Sequence, residues 1–209
     1  FVRGLLKSIL HRQSREDTVT TMIDISLEPL SAAAFAPFGQ LIGEQDGAPL
    51  FSAPGVKTWG VDFEIDGTLE IHYARFDYKD GMTFAMMERH FNVTQAFVPF
   101  DGAANVNVFA APTDPDDPAA IPRPEDMRAF YFDGGQGVMM WKGTWHSVIL
   151  PTQPPNGAVA MITAAETTVE MAAMAAGGRL EGKLTQIVDF AKKFGQTFRI
   201  SDPNGLIAG

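Results

Sequence analysis

Turn-forming dipeptides divide this 209-residue chain into many short segments, and this feature constrains the fold more than any other. Asp-Gly occurs five times, at 46–47, 66–67, 80–81, 101–102 and 133–134, and Asn-Gly at 156–157 adds another such dipeptide. Both dipeptides tolerate the positive φ angles that tight hairpin turns require. The stretches between them have strand-like compositions and lengths, at residues 68–76, 94–100, 105–111, 127–132, 137–141, 146–150 and 158–164. Many short strands at this spacing predict an all-β chain folded as an antiparallel sandwich or barrel.

Helix signals lie only near the two ends of the chain. Ser31 precedes the sequence AAAF and predicts the N-cap of a short helix. Near the C-terminus, apolar residues recur at helical spacing and Gly195 supplies a stop signal. The residues that predict this C-terminal helix are Leu180, Leu184, Ile187, Ala191 and Phe194. The proline-rich residues 112–124 predict a long surface loop, because proline cannot donate a hydrogen bond within a sheet.

The first residues of the chain differ in character from the rest. Residues 1–15 place apolar side chains on one helical face and basic side chains on the other. Such a stripe is compatible with a membrane-surface or targeting helix, with an extension from an upstream start, and with a cap packed on the body. Met22 has the position of a natural start for the folded unit. We therefore predict an N-terminal extension over residues 1–21 and a single domain over residues 22–209.

The overall charge and the cysteine content exclude several classes of function. With a formal net charge of −9, the surface repels phosphate backbones, so nucleic acid is not an expected partner. The chain has no cysteine, which excludes a disulfide framework, a thiolate metal site and a cysteine nucleophile. No apolar run approaches the roughly 20 residues of a membrane span. We expect a cytoplasmic protein that binds a small molecule.

Two candidate catalytic histidines, His72 and His90, lie in strand-like segments of the N-terminal half of the chain. His72 alternates with Ile71 and Tyr73, so it lies on the opposite face of its strand, which is either a barrel lumen or the solvent side. If residues 87–97 are extended, Glu88 and His90 share one face and Arg89 points away. A carboxylate beside an imidazole can orient it, raise its basicity or join it in a metal shell.

The heptamer WKGTWHS, residues 141–147, holds a third candidate histidine. A straight strand would place Lys142, Thr144 and His146 on one face, whereas a bulge at Gly143 would break that register. The heptamer alone is compatible with both a structural and a catalytic His146.

Glu88, His90 and His146 together form a two-histidine, one-carboxylate set, which is a known arrangement for divalent metals. The usual spacing of metal cupins, His-x-His followed by a carboxylate a few residues later, is absent. The sequence requires no cofactor, and a divalent metal held by these three residues stays an open alternative.

Three longer motifs occur in a fixed order: ERHFNVTQAFVPF at 88–100, NVNVFAAPTDP at 105–115 and RAFYFDGGQGVMMWKGTWHS at 128–147. This order resembles the ureidoglycolate lyase family, and the resemblance extends over about residues 25 to 165. It implies a cupin-like β-barrel, often a homodimer, that cleaves ureidoglycolate to glyoxylate and urea. The family's Trp-His-His-Pro motif is altered in this chain, since Ser147 and Val148 follow His146. Serine cannot take a proton near neutral pH as imidazole can, so this departure leaves the exact substrate open.

The resemblance also suggests roles for individual residues. Cleavage of ureidoglycolate needs a base for the hydroxyl proton, an acid for the departing nitrogen and a cation for the carboxylate. We assign the base to His146, with Glu88 orienting His90 or acting with it as the acid. The predicted substrate-binding residues are Arg75 and Lys142 as cations, Gln95 as a donor, Trp145 as a shield from water, and Ser147. A metal-dependent cupin enzyme acting on another small acid, and a binding module without catalysis, are the alternatives.

Overall fold

The computed structural model describes residues 20–100 and 102–207. The prediction of an amphipathic segment at residues 1–15 therefore lies outside the described residues. The first strand begins at Thr21, one residue before the predicted start of the domain at Met22.

The described residues form sixteen strands and three α-helices. In chain order, the strands are β1 Thr21–Pro29, β2 Gly39–Ile42, β3 Phe51–Ala53, β4 Val56–Thr58, β5 Leu69–Asp77, β6 Thr83–Phe84, β7 Met86–His90, β8 Ala96–Pro99, β9 Asn105–Ala110, β10 Arg128–Phe132, β11 Gly137–Met140, β12 Trp145–Ser147, β13 Leu150–Pro151, β14 Asn156–Ala164, β15 Thr185–Asp189 and β16 Gln196–Ser201. The helices are α1 Ala32–Phe35, α2 Ala165–Gly177 and α3 Phe190–Phe194.

Two sheets make up the body of the protein. The larger one has the order β15-β7-β12-β9-β10-β1-β16-β6, with β13 paired to β9, and it curls at one end. The smaller one has the order β2-β11-β8-β14-β5, and β3 and β4 form a separate hairpin. This arrangement confirms the all-β, cupin-like prediction. It is not wholly antiparallel, because β1 inserts between β10 and β16 and runs parallel to both.

A cluster of phenylalanines fills the space between the two sheets. Phe109 and Phe130 of the larger sheet pack at 6.1 Å between ring centroids. Phe35 of α1 meets Phe109 edge-on at 5.0 Å. Strand β9 is buried on both faces, since Val108 belongs to a second core cluster on the other side of the larger sheet. The strand therefore lacks the polar face that a surface strand would show.

The short N-terminal helix is confirmed, and so is its cap. The side-chain oxygen of Ser31 accepts a hydrogen bond from the backbone N–H of Ala34 at 3.2 Å. Such a bond satisfies one of the donors that the first turn of a helix leaves free. The proline-rich segment is also confirmed as a connection without strands between β9 and β10.

The predicted span of the C-terminal helix is wrong. Only α3, which ends at Phe194 and has Gly195 as its C-cap with a φ of 62°, is helical in that stretch, whereas Ile187 lies in β15. Pairing with β7 over five residues outweighs the helical spacing of the apolar side chains. Sequence reasoning missed α2, an alanine-rich helix without a clear apolar stripe. The prediction of a turn at Asn156-Gly157 is also wrong, because both residues lie inside β14 and the chain bends at 152–155 instead.

A candidate active site between the two sheets

Strand register assembles the site from four neighbouring strands of the larger sheet. Directly paired residues share a face, and the register aligns Ile187 of β15, Glu88 of β7, His146 of β12 and Phe109 of β9 in one row. His90 occupies the same face two residues along β7 from Glu88. These side chains face the smaller sheet, where Phe97 of β8 meets the His146 ring edge-on at 5.5 Å between centroids.

The three titratable groups of this row lie close together. One Glu88 carboxylate oxygen is 3.9 Å from Nε2 of His90 and 3.9 Å from Nδ1 of His146. The two imidazole rings are 5.4 Å apart between centroids. Both histidine side chains are almost wholly buried, whereas 28% of the Glu88 side chain is exposed. The carboxylate therefore forms the accessible part of the cluster.

Three polar atoms at this point have no hydrogen-bond partner within residues 20–100 and 102–207. They are Nε2 of His90, Nε2 of His146 and Oε1 of Gln95, and all three are buried. Buried polar atoms in folded proteins are nearly always hydrogen-bonded, because an unpaired one costs about 1–3 kcal/mol. Three such atoms in one place indicate a site that a ligand completes.

Burial shifts the protonation of all three groups toward their neutral forms. Loss of solvent lowers the pKa of His146 to about 4, and it lowers the pKa of His90 to about 3 with a smaller contribution from the neighbouring His146. The same loss of solvent raises the pKa of Glu88 to about 7. At neutral pH both histidines therefore carry free lone pairs, and Glu88 is poised between its two forms.

A cavity of about 520 Å³ opens above the row. Phenylalanine, methionine, valine and isoleucine side chains form most of its wall, and its polar lining comes from Lys79, Thr83, Glu88, Gln95, His146 and Ser147. This volume lies within the roughly 300–1,000 Å³ that is usual for small-molecule sites. The arrangement can exchange protons with a small ligand in surroundings that exclude much of the solvent.

Comparison with known proteins agrees with this geometry. A family model described as ureidoglycolate lyase matches residues 22–177. The chain belongs to the ureidoglycolate lyase family. Individual proteins named ureidoglycolate lyase are also similar to this chain. The protein from Azotobacter vinelandii is 38% identical over 135 residues, which are 60% of this chain and 76% of the relative. That from Pseudomonas fluorescens strain Pf0-1 is 34% identical over 139 residues, which are 62% of this chain and 78% of the relative.

The structure brings together the residues predicted to be catalytic. Glu88, His90 and His146 form the cluster, and Gln95 lies beside it at the cavity. Gly143 adopts a φ of 80° within a turn, so the heptamer is not one straight strand and only its last three residues belong to β12.

Both predicted cations lie away from the cavity. Arg75 is on the outer face of β5, where 61% of its side chain is exposed and its nearest acid is Asp77 at 3.9 Å. Lys142 lies in the turn that precedes β12, where it is held by Asp66 at 2.9 Å and by Glu64 at 3.6 Å. Neither guanidinium nor ammonium group lines the cavity, so this placement does not support a grip on the substrate carboxylate.

The side chains of Trp145 and Ser147 make contacts that stabilise the larger sheet and its surroundings. Trp145 is fully buried on the opposite face of β12, where its indole N–H donates to Oγ1 of Thr113 at 3.0 Å. Ser147 lies at the edge of the cavity. Its hydroxyl accepts a hydrogen bond from the backbone N–H of Val108 at 3.1 Å and donates one to Oδ1 of Asn107 at 2.8 Å. Ser147 is therefore occupied in joining β12 to β9.

Sequence reasoning missed two residues that complete the site. Lys79 is the cation among the described residues that line the cavity. Thr185 pairs with His90 in register, and its hydroxyl lies 3.0 Å from Nδ1 of that ring. Thr185 also lies beyond the residues that the family model matches. No local pattern marks Thr185, because its contact depends on the pairing of β15 with β7.

The cluster also fits a divalent metal. The potential ligand atoms of Glu88, His90 and His146 lie within 4.8 Å of one another. Imidazole and carboxylate ligands bind such ions at about 2.0–2.2 Å, so small side-chain adjustments would bring all three atoms to one ion. The unpaired Nε2 of His90 is consistent with that role. A bound ion would polarise a substrate oxygen.

Among the described residues, the histidine outside the site is His72, and it has a separate environment. His72 lies on the inner face of β5, and its Nε2 is 2.7 Å from the Glu70 carboxylate. The apolar neighbours Ile71 and Tyr73 point outward and are more than half exposed.

No helix within residues 20–100 and 102–207 has the length and hydrophobicity needed to cross a membrane.

Proposed function

We propose that this protein is a carbon–nitrogen lyase that cleaves ureidoglycolate to glyoxylate and urea. The observation that carries the proposal is the cluster of Glu88, His90 and His146 at a ligand-sized cavity, in a chain that belongs to the ureidoglycolate lyase family. The family relationship and the retained cluster favour this reaction over a module that only binds.

Two proton transfers accompany the proposed cleavage. The hydroxyl proton of the substrate leaves as the carbonyl of glyoxylate forms, the C–N bond breaks, and the urea nitrogen gains a proton. His146 accepts the hydroxyl proton, since its Nε2 is unpaired among the described residues and the side chain lines the cavity. Glu88 and His90, whose polar atoms are 3.9 Å apart, deliver the proton to nitrogen. Each well-placed transfer contributes about 10²–10⁴ in rate.

The decisive experiment is an assay of the purified protein with ureidoglycolate. Glyoxylate release well above the spontaneous rate, in proportion to protein concentration, is the expected result. Release at the spontaneous rate across a range of pH and with added divalent metals would contradict the proposal.

We assign the substrate carboxylate to Lys79 at the wall of the cavity. Lys79→Gln is expected to raise KM about tenfold with little change in kcat, because a hydrogen bond to a charged group contributes about 1.5–3 kcal/mol. Lys79→Arg should retain most of the affinity. The matched control is Lys57→Gln, which removes an exposed lysine of β4. An unchanged KM in Lys79→Gln would show that another group holds the carboxylate.

Thr185 acts as a positioning residue for His90. When Nδ1–H of His90 donates to the Thr185 hydroxyl, the lone pair of Nε2 faces Glu88. Thr185→Val removes this bond at nearly constant volume and should reduce kcat/KM about 10–100-fold, the range for partners that orient an active imidazole. The nitrogen-15 chemical shifts of His90 report its tautomer and should change in the same variant. Thr185→Ser should restore both readouts, and a Thr185→Val enzyme with normal shifts and activity would contradict the role.

We also propose a homodimer formed through the outer face of the smaller sheet. Leu69, Ile71 and Tyr73 project outward from the edge strand β5 and are 53–67% exposed, and Phe100 packs on Tyr73 at 5.6 Å. A second copy fits this face, because two such faces packed about a two-fold axis near Ile71 would bury apolar side chains against apolar ones.

The oligomeric state tests this surface. Ile71→Glu is expected to convert a dimer into a monomer in light scattering, because a carboxylate would be buried at the two-fold axis. Val169→Glu, at an exposed site on α2, is the control. A wild-type monomer at micromolar concentration would contradict the proposal.

The proposed compartment is the cytoplasm, with which a chain lacking cysteine is compatible.

A further inference from the structure

The composition of the cavity wall does not match a ligand as polar as ureidoglycolate. Besides the polar residues Lys79, Thr83, Glu88, Gln95, His146 and Ser147, the lining contains three phenylalanines and four methionines as well as alanine, valine and isoleucine. Ureidoglycolate has a single C–H group and otherwise consists of polar atoms. Placed alone in a cavity of about 520 Å³, it would leave most of these apolar walls facing water.

The contacts at the polar end restrict where an apolar group can be attached. The reacting carbon carries the hydroxyl, which must reach His146, and the carboxylate, which we assign to Lys79. Its nitrogen must reach Glu88, which lines the cavity and has His90 beside it, when the C–N bond breaks. The distal nitrogen of the urea takes no part in these steps, so it is the atom that can carry a substituent toward the wall.

The apolar side chains of the cavity wall are suited to a flexible substituent. Met161 of β14 and Met171 of α2 contribute unbranched side chains, which adapt readily to different shapes. Ile187 of β15 adds a branched side chain beside Glu88. This residue lies beyond those that the family model matches. Part of the apolar wall therefore comes from a segment of this chain outside the family match.

We propose that the site takes ureidoglycolates whose distal urea nitrogen carries an apolar group, and that it cleaves them to glyoxylate and an N-alkylurea. The inference rests on the proposed lyase reaction and deepens it by naming the substrate class. The bonds that break and form are those of the parent reaction, and the leaving group is the substituted urea. Binding of the substituent removes water from the methionine and isoleucine wall.

A series of substrates tests the proposal. Condensation of glyoxylate with urea, N-methylurea, N-propylurea and N-butylurea supplies the four hemiaminal acids. Glyoxylate release from each is measured with the full chain, and kcat/KM should rise about fourfold for each added methylene, as burial of apolar surface predicts. Equal or falling values along the series, with ureidoglycolate itself cleaved, would overturn the inference and leave the lyase proposal intact. No release from any of the four would overturn both.

A pair of variants on α2 tests the wall directly. Met171→Trp fills part of the cavity and should lower the ratio of kcat/KM for the butyl substrate to that for ureidoglycolate at least tenfold. Val169→Trp introduces the same side chain at a position that is 70% exposed on the same helix, and it should leave the ratio unchanged. Equal ratios in wild type and both variants would show that the substituent does not contact this wall, contrary to the proposal.

Discussion

Replacement of His146 by alanine is expected to lower kcat for ureidoglycolate by about 10²–10⁴, the usual contribution of a positioned general base. The imidazole lines the cavity with an Nε2 that no described residue satisfies, and Glu88 lies 3.9 Å from its other nitrogen. Its low pKa, caused by burial, keeps it unprotonated at neutral pH and thus able to accept a proton. The measurement is kcat and KM by glyoxylate release, with the spontaneous rate subtracted.

His72→Ala is the matched control for this variant. It also removes an imidazole from the inner face of a strand, but His72 is paired with Glu70 and does not line the cavity. The control should retain wild-type activity. Thermal unfolding of both variants checks that the sheet is intact, because alanine at the buried His146 position also removes packing against Phe97. A folded His146→Ala enzyme with kcat within a few-fold of wild type would exclude His146 as the base.

The replacement of the family's second histidine by Ser147 has a limited structural consequence. Ser147 follows His146 on β12, so the two side chains point to opposite faces of the strand. The hydroxyl is engaged with Val108 and Asn107 on the neighbouring strand. No proton-transfer group is therefore missing from the row that contains Glu88 and His146. Catalysis with this substitution is physically reasonable, and the cavity wall rather than Ser147 is expected to set substrate preference.

Local sequence patterns predicted the elements that depend on nearest neighbours. Alternation along residues 87–90 placed Glu88 and His90 on one face and Arg89 on the other, as the structure shows. The strand-like runs separated by Asp-Gly turns became strands, and Ser31 caps its helix. Each of these outcomes follows from side-chain period or turn chemistry within a few residues.

The features that depend on distant pairing could not be predicted in this way. Alternation correctly placed His72 on the face opposite Ile71 and Tyr73, but it could not show that this apolar face of β5, which also carries Arg75, is the exposed one. The helical spacing around Ile187 was overridden by pairing with β7, which also brings Thr185 to His90 from 95 residues away. Lys79 reaches the cavity wall only because of how the sheets close, and no motif marks it.

Loss of the Arg89 side chain should strongly destabilise the fold. Its side chain is fully buried on the face of β7 opposite the active site. The guanidinium donates from Nε to Oε1 of Gln186 at 2.9 Å, from Nη1 to the carbonyl of Thr113 at 2.9 Å, and from Nη2 to the carbonyl of Asp114 at 3.2 Å. It also lies 4.7 Å from the ring centroid of Trp145. One side chain thus joins β7, β15 and the proline-rich connection between β9 and β10.

Arg89→Met should lower the free energy of unfolding by about 3–5 kcal/mol, because it leaves the buried Oε1 of Gln186 and the partly buried carbonyls of Thr113 and Asp114 without their donor. Arg89→Lys should also be destabilising, since an ammonium group cannot match the planar fork of the guanidinium. Denaturant unfolding with a constant m-value measures both effects. Arg123→Met removes an exposed arginine paired with Asp126 at the surface and should leave stability unchanged. If Arg89→Met unfolds within about 1 kcal/mol of wild type, the carbonyls of Thr113 and Asp114 must find other donors, and the connection does not depend on Arg89.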